Sequence, residues 1–263
     1  MPETGRDFVQ SLERGLGVIL CFSEESPRQT LSDVARHTGF SRAARRRLLH
    51  TLETLGYVGQ DGREFYLLLR ILDVGYSYLS SLPFRTLVAP YIEELGAKVN
   101  ESVSVSVSVS VLDGADIVYV SRVATSRIMT VSINIGNRLP VYCTSMGRVL
   151  LASMPVVEQR RHLSMTPLTP HTKFSLRSEK EILAEIARVA KRGWSLNDQE
   201  LEIGPRSIAA PITDAGGRTV AAMNIATHAG PTPMKELREK LLPQLLATTK
   251  RVNTQLEKRR RSN

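Results

Sequence analysis

Residues 101–112 read ESVSVSVSVSVL, a strict alternation of Ser and Val. A period of two is the repeat of an extended strand, whose side chains point alternately to opposite faces, and a helix cannot sort these residues into two sides. The run therefore commits the middle of the chain to a half-buried strand, with Val expected inward and Ser outward. A slip of two residues returns the same faces, so the repeat marks its own register poorly. Asp113-Gly114 supplies a turn, DIVYVSRV at 116–123 is the next strand, and 129–135 alternates similarly ahead of Gly136-Asn137. Together these predict an antiparallel meander.

Upstream, the pattern changes to helical. In TLSDVARHTGFSRAARRRLLHTLETL, residues 30–55, Thr30 and Ser32 are cap-type residues, and Leu31, Val34 and Ala35 recur at helical spacing before Gly39. Ser41 can cap a second helix, with Ala44, Leu48, Thr51 or Leu52, and Leu55 on one face. Between Asp33 and Glu53 there is no carboxylate, but there are Arg36, Arg42, Arg45, Arg46 and Arg47. An ordinary solvated helix would interleave acids for i,i+4 pairs, so this face reads as one for phosphates and a DNA groove. Two β-prone runs, 55–58 and 65–68, flank Asp61-Gly62-Arg63 as a hairpin with a basic tip, a wing beside the motif. The candidate DNA contacts are Thr30, Ser41, Arg42, Arg45, Arg46, Arg47, His50 and Arg63, with Arg42 and Arg46 reaching base edges or phosphates and Arg45, Arg47 and Arg63 mostly holding the backbone.

The helix at 8–22 should pack on this motif through Phe8, Leu12, Leu16 with Ile19, and Leu20 or Val18, with Ser11 available as its cap. A linker helix is predicted over 71–82 and another over 87–99. Downstream, LPVYCTSMGRVLLASM at 139–154 reads as an extended segment, a capping Thr144-Ser145 and a short helix, which presents free N–H groups to an anion. An amphipathic helix at 178–193, a strand from Trp194, a hairpin around Asp214-Ala215-Gly216-Gly217 and a C-terminal helix at 234–256 complete an α/β layer with a mostly antiparallel sheet.

The 263 residues carry a net charge of +9, which favours a polyanionic partner, although Lys258, Arg259, Arg260 and Arg261 place four of the charges in a tail expected to be solvated and without structure. Two separated cysteines, Cys21 and Cys143, indicate neither a disulfide framework nor a metal site, and no stretch approaches a membrane span. A cytoplasmic protein without cofactor or metal fits.

The ordered segments FVQSLERGLGVILCF, TLSDVARHTGFSRAARRRLLHTLETLGYV, VYCTSMGRVLLA, GWSLNDQELEIGPRSIAAPI and VAAMNIATHA together resemble the IclR family of bacterial transcription regulators, and within it the Pca/Pob-type branch for protocatechuate and 4-hydroxybenzoate catabolism. The resemblance covers nearly the whole chain. It implies an α+β fold: a winged helix-turn-helix over 1–69, a linker helix over 70–84, and over 85–263 an effector-binding and oligomerisation domain with a GAF-like sheet. Such regulators bind palindromic DNA operators as dimers or tetramers. The resemblance places the effector pocket between the loop Thr144, Ser145, Met146 and Gly147, the segment Asn197, Asp198 and Glu200, and the strand residues Ser207 and Asn224. The residues themselves agree in part. Asn224 interrupts the apolar AAMNIA, where an amide without a partner would be costly, and with Ser207 and the helix N–H groups it suits a small carboxylate.

Two departures from the branch stand out. Arg45 occupies a position where the branch commonly has a small residue, and the Ser-Val run exceeds its counterpart by an even number of residues, which preserves its faces. An enzyme is the rival class, but the Ser145 loop lacks the flanking glycine of a nucleophile elbow, the histidines are isolated, and Asp198, Glu200 and Glu202 have no His or Cys partner nearby. A nucleic-acid-binding structural protein without an effector would leave the second domain idle.

Overall fold

A computed structural model describes residues 7–82, 84–100, 105–124 and 133–261. The chain divides into two compact units, Met1–Ser81 and Leu82–Asn263.

In the first unit, α1 (Gln10–Ile19), α2 (Leu31–Thr38) and α3 (Arg42–Thr54) surround a core of Val18, Val34, Leu49, Leu52, Val58 and Phe65. Thr30 and Asp33 form a reciprocal capping box at α2, and Gly39, at φ 66°, closes the helix in the left-handed region that glycine enters without a Cβ penalty. Ser41 caps α3 by accepting from the Ala44 N–H at 3.3 Å. Three antiparallel strands, β1 (Arg28–Thr30), β2 (Val58–Asp61) and β3 (Glu64–Leu67), pair in the order β1-β3-β2, and α4 (Ile71–Ser81) follows. β1 was not anticipated: Arg-Gln-Thr carries no apolar alternation and is held by its pairing to β3.

Two helix faces differ from the sequence expectation. α1 turns Val18, one of the two alternatives, into the core with Ile19 packed beside it, but leaves Leu12, Leu16 and Leu20 exposed, as is Phe8 ahead of the helix, and its N-terminus at Val9 has no side-chain cap. α3 buries Leu52 as one of the expected alternatives and packs Leu48 against the core, but its buried face is centred on Arg45 and Leu49, with Leu55 exposed. The adjacent Leu48 and Leu49 leave the phase of the helix ambiguous by one residue, and packing chose the second.

The second unit is one six-stranded sheet: β4 (Val105–Asp113), β5 (Asp116–Ala124), β6 (Arg138–Pro140), β7 (Ser195–Asp198), β8 (Pro205–Thr213) and β9 (Thr219–His228), ordered β6-β5-β4-β9-β8-β7 with every pairing antiparallel. α5 (Arg85–Asn100) lies against the valine face of β4, where Gly96 leaves room for Val107 and Val123. α6 (Ser145–Ala152) covers the other face, with α8 (Glu179–Arg192) packed on it, and α7 (Val156–Leu163) follows α6 directly. Both faces of β4 are therefore buried, and the serines are not outward as expected. The first four residues of the repeat, and most of the strand predicted at 129–135, lie outside the described residues. The last helix is continuous through α9 (Met234–Glu236), a π turn (Leu237–Leu241) and α10 (Leu242–Arg261), so the basic tail is helical.

Candidate functional site

On α3, the side chains of Arg42, Arg46, Arg47 and His50 are exposed on the face away from the core, and Arg63 is exposed at the tip of the β2–β3 hairpin. Thr30 and Ser41 sit at the two helix N-termini as caps. Four arginines and two helix starts are thus exposed, groups of the kind that can meet a polyanion. Arg45 does not join them. It is 9% exposed, and its Nε and Nη1 are buried without a hydrogen-bond partner among the described residues. Its predicted role on the DNA backbone is corrected accordingly, since a guanidinium turned into the core beside Leu49 cannot meet a phosphate without rotating the helix.

In the second unit a cleft of about 580 Å³, including its mouth, opens between the serine face of the sheet and the N-terminus of α6. Six of the nine predicted effector residues line it: Thr144, Ser145, Met146, Asn197, Ser207 and Asn224. Thr144 caps α6 by accepting from the Gly147 N–H at 3.2 Å, and the Ser145 and Ser207 hydroxyls meet at 2.7 Å. Asn197 donates from Nδ2 to the Cys143 carbonyl at 2.8 Å, fixing the β7 end of the wall to the α6 loop. Asn224 is 4% exposed and its Oδ1 is buried with no hydrogen-bond partner among the described residues.

Three predicted residues stand behind the wall. Gly147 abuts the Val141 backbone so closely that a Cβ would collide with its carbonyl. Asp198 is taken by Arg206, whose Nε donates to Oδ1 at 3.0 Å. Glu200 is held by Arg148, both of its oxygens accepting at 2.6 Å. Their proximity in sequence to Asn197 and Ser145 suggested contact with a ligand, but each is engaged elsewhere.

Arg122 and Tyr119 on β5 line the cleft and were missed. Strict alternation puts residues three apart on opposite faces. Opposite Val109 and Ser110, however, β5 places Ser121 and Tyr119, so Val120 is an extra residue in a bulge and brings Tyr119 and Arg122 to the same face. No sequence signal marks that bulge. The Arg122 guanidinium donates to Ser108 Oγ at 3.4 Å and makes no ion pair among the described residues, and burial holds its pKa below the ordinary arginine value. Burial likewise pushes the Tyr119 phenol and the Cys143 thiol each up to about 12, so both are neutral at physiological pH. Among the described residues no group of three His, Cys, Asp or Glu could hold a metal ion, and no helix is long and apolar enough to cross a membrane.

The IclR helix-turn-helix domain matches residues 11–62, and the C-terminal domain of the bacterial transcriptional regulator IclR matches residues 76–254. The chain belongs to the IclR family. The Pca regulon regulatory protein of Pseudomonas putida is 42% identical over 95% of this chain and 85% of its own length. A transcriptional regulator from Rhodococcus sp. RHA1 has a crystal structure that superposes with a TM-score of 0.85 at 49% identity, covering 95% of this chain and 98% of that one. The inducer-binding domain of a PobR double mutant from Acinetobacter, solved with 3-hydroxybenzoic acid, aligns at a TM-score of 0.59 and 26% identity, over 64% of this chain and 96% of that one. Pca- and Pob-type regulators are thus both among the relatives, as the sequence segments implied. This IclR-family chain is a DNA-binding transcriptional regulator that pairs a winged helix-turn-helix with an effector-binding domain.

Proposed function

We propose that a small aromatic carboxylate occupies the cleft between α6 and the sheet and thereby controls operator binding by α3. The observation that carries this reading is Arg122, a partly desolvated guanidinium lining the cleft that makes no ion pair with a described carboxylate, Glu202 being the one acidic residue in the same lining. An anion is the partner such a group favours, and a bidentate pair inside a cleft is stronger than one in water. The apolar side chains of Ile133, Leu139 and Leu201 suit a ring, and the PobR relative's complex with 3-hydroxybenzoic acid supports the same class. The exposed Arg42, Arg46, Arg47, His50 and Arg63 bind operator DNA in this reading, with 1–69 as the DNA-binding domain, 70–84 as linker helix and 85–263 as the effector domain. The protein acts as a homo-oligomer in the cytoplasm and as a regulator rather than an enzyme. The apolar stripe Leu12, Leu16 and Leu20 on α1, exposed in the single chain, supports pairing of two copies.

Control requires that the ligand bind the DNA-competent and incompetent arrangements with different affinity. Calorimetric titration of the purified protein with 4-hydroxybenzoate and protocatechuate tests the site. Replacing Arg122 with Met should weaken acid binding about 30-fold or more, from loss of a charge-assisted pair of about 2 kcal/mol, while operator binding without ligand persists. Unchanged acid affinity would exclude Arg122 as the anchor.

A further inference from the structure

The serine repeat of β4 has a use that its composition alone does not reveal. Strand pairing sets Ser108 directly opposite Arg122 on β5 and opposite Asn224 on β9. One row across three neighbouring strands therefore runs guanidinium, hydroxyl, amide. In the adjacent row Ser106 lies opposite Ala226, which lies opposite Ser207 on β8. Ser106, Ser108 and Ser110 are all buried. Hydroxyls removed this far from water need partners. Of the three only Ser106 is in the cleft lining, while the other two bond to side chains that are: Ser108 Oγ accepts from Arg122, and Ser110 Oγ donates to Met146 Sδ at 3.2 Å. Ala226, also in the lining, is too short to cover this row.

We propose that the serine face of β4 sets the acid specificity of the cleft from behind its lining, with Ser108 a positioning residue that keeps the Arg122 guanidinium aimed at an anion. The inference rests on the reading of the cleft as an acid site. The chemistry of the residue at 108 explains the role. A valine there would leave the guanidinium nothing to hold. An aspartate would hold it more strongly but would neutralise it, removing the charge a ligand needs. A neutral acceptor fixes the fork and leaves the charge available. Ser106, lining the cleft without engaging Arg122, serves acid and neutral ligands alike.

The test uses the full chain and two probes of the same shape, 4-hydroxybenzoate and its neutral amide 4-hydroxybenzamide, each titrated calorimetrically. The wild type should prefer the acid. Ser108→Ala should lower the acid-to-amide affinity ratio about tenfold, the effect of one lost hydrogen bond to a charged group, with amide affinity within about twofold of wild type. Ser108→Thr, which keeps the hydroxyl, should retain the preference, and its isostere Ser108→Val should lose it. That second pair keeps strand volume constant and so separates the hydroxyl from packing. Ser106→Ala should weaken both probes equally. A full acid preference in Ser108→Ala and Ser108→Val would overturn the positioning role while leaving the acid site standing. A wild type that shows no preference for the acid would overturn the acid reading and this proposal with it.

Discussion

Arg148 and Glu200 meet fork to fork, Nη1 to Oε1 and Nη2 to Oε2 both at 2.6 Å, with the arginine side chain 1% and the carboxylate side chain 9% exposed. Arg148 Nε also donates to the Tyr142 carbonyl at 3.0 Å, and Glu200 accepts from the Leu176 N–H at 3.5 Å. The pair thus ties α6 to the loop between β7 and β8, the two elements that carry the cleft wall. It is a buried charge pair whose partners depend on one another.

Glu200→Gln should therefore destabilise the protein by about 3–5 kcal/mol, because it strands a buried guanidinium. Arg148→Met combined with Glu200→Leu should be markedly less damaging than either single change, since no charge is then left unpaired. Urea unfolding of the three variants measures this non-additivity, and simple additivity of the two single changes would contradict it.

Arg45 and Arg46 are neighbours with opposite fates. Arg46→Ala should weaken operator binding and reduce the slope of log affinity against log salt by about one, as for a lost phosphate contact. Arg45→Met should leave that slope unchanged and preserve or raise stability, because it removes buried N–H groups that have no hydrogen-bond partner among the described residues. Fluorescence anisotropy at several salt concentrations distinguishes the two, and a reduced slope for Arg45→Met would place its guanidinium on the DNA.

The α2 cap makes a pH prediction. The Thr30 hydroxyl, then the Thr30 backbone N–H, hold the Asp33 carboxyl below the usual carboxylate range, with Arg36 adding to the effect. A carboxyl whose folded pKa is depressed stabilises the fold fully above its unfolded value of about 3.9, and the contribution is lost as pH falls through the lower folded value. Amide exchange at the start of α2 should accordingly accelerate below about pH 4. In Asp33→Asn that acid dependence should vanish, and its persistence would assign the effect to another group.

The exposed stripe on α1 gives a prediction about assembly. Leu16→Glu should leave the monomer fold intact, because Leu16 is outside the core, yet lower the sedimentation coefficient and the operator affinity together. An unchanged assembly state would remove α1 from the subunit contact.

Several helix ends and turns were legible in the sequence because their chemistry is local: the Thr30 and Ser41 caps, Gly39, the start of α8 at Ser178 and the Asp214 hairpin stand where short-range rules place them, whereas the Ser11 cap of α1 does not. What was not legible depends on partners distant in the chain. Leu48 and Leu49 could not say which of them faces inward, so Arg45 was assigned to the wrong side. Glu200 looked like a ligand contact because its partner Arg148 lies 52 positions away. Arg122 was hidden by a bulge that exists only in the pairing of β5 with β4. The serines of β4 were expected in solvent because a lone strand does not reveal that α6 covers its second face.

The strand order has a consequence for how the protein is made. β4 and β9 are neighbours at the centre of the sheet, Val105 opposite Thr227, so the ribosome must deliver more than a hundred further residues before β4 gains its second partner. At about 5–20 residues per second that is an interval of roughly ten seconds. Throughout it, a strand of alternating valines sits at the open edge of a nascent hairpin, the kind of edge that recruits other chains. During synthesis the repeat that later backs the cleft is thus an edge for a chaperone to cover.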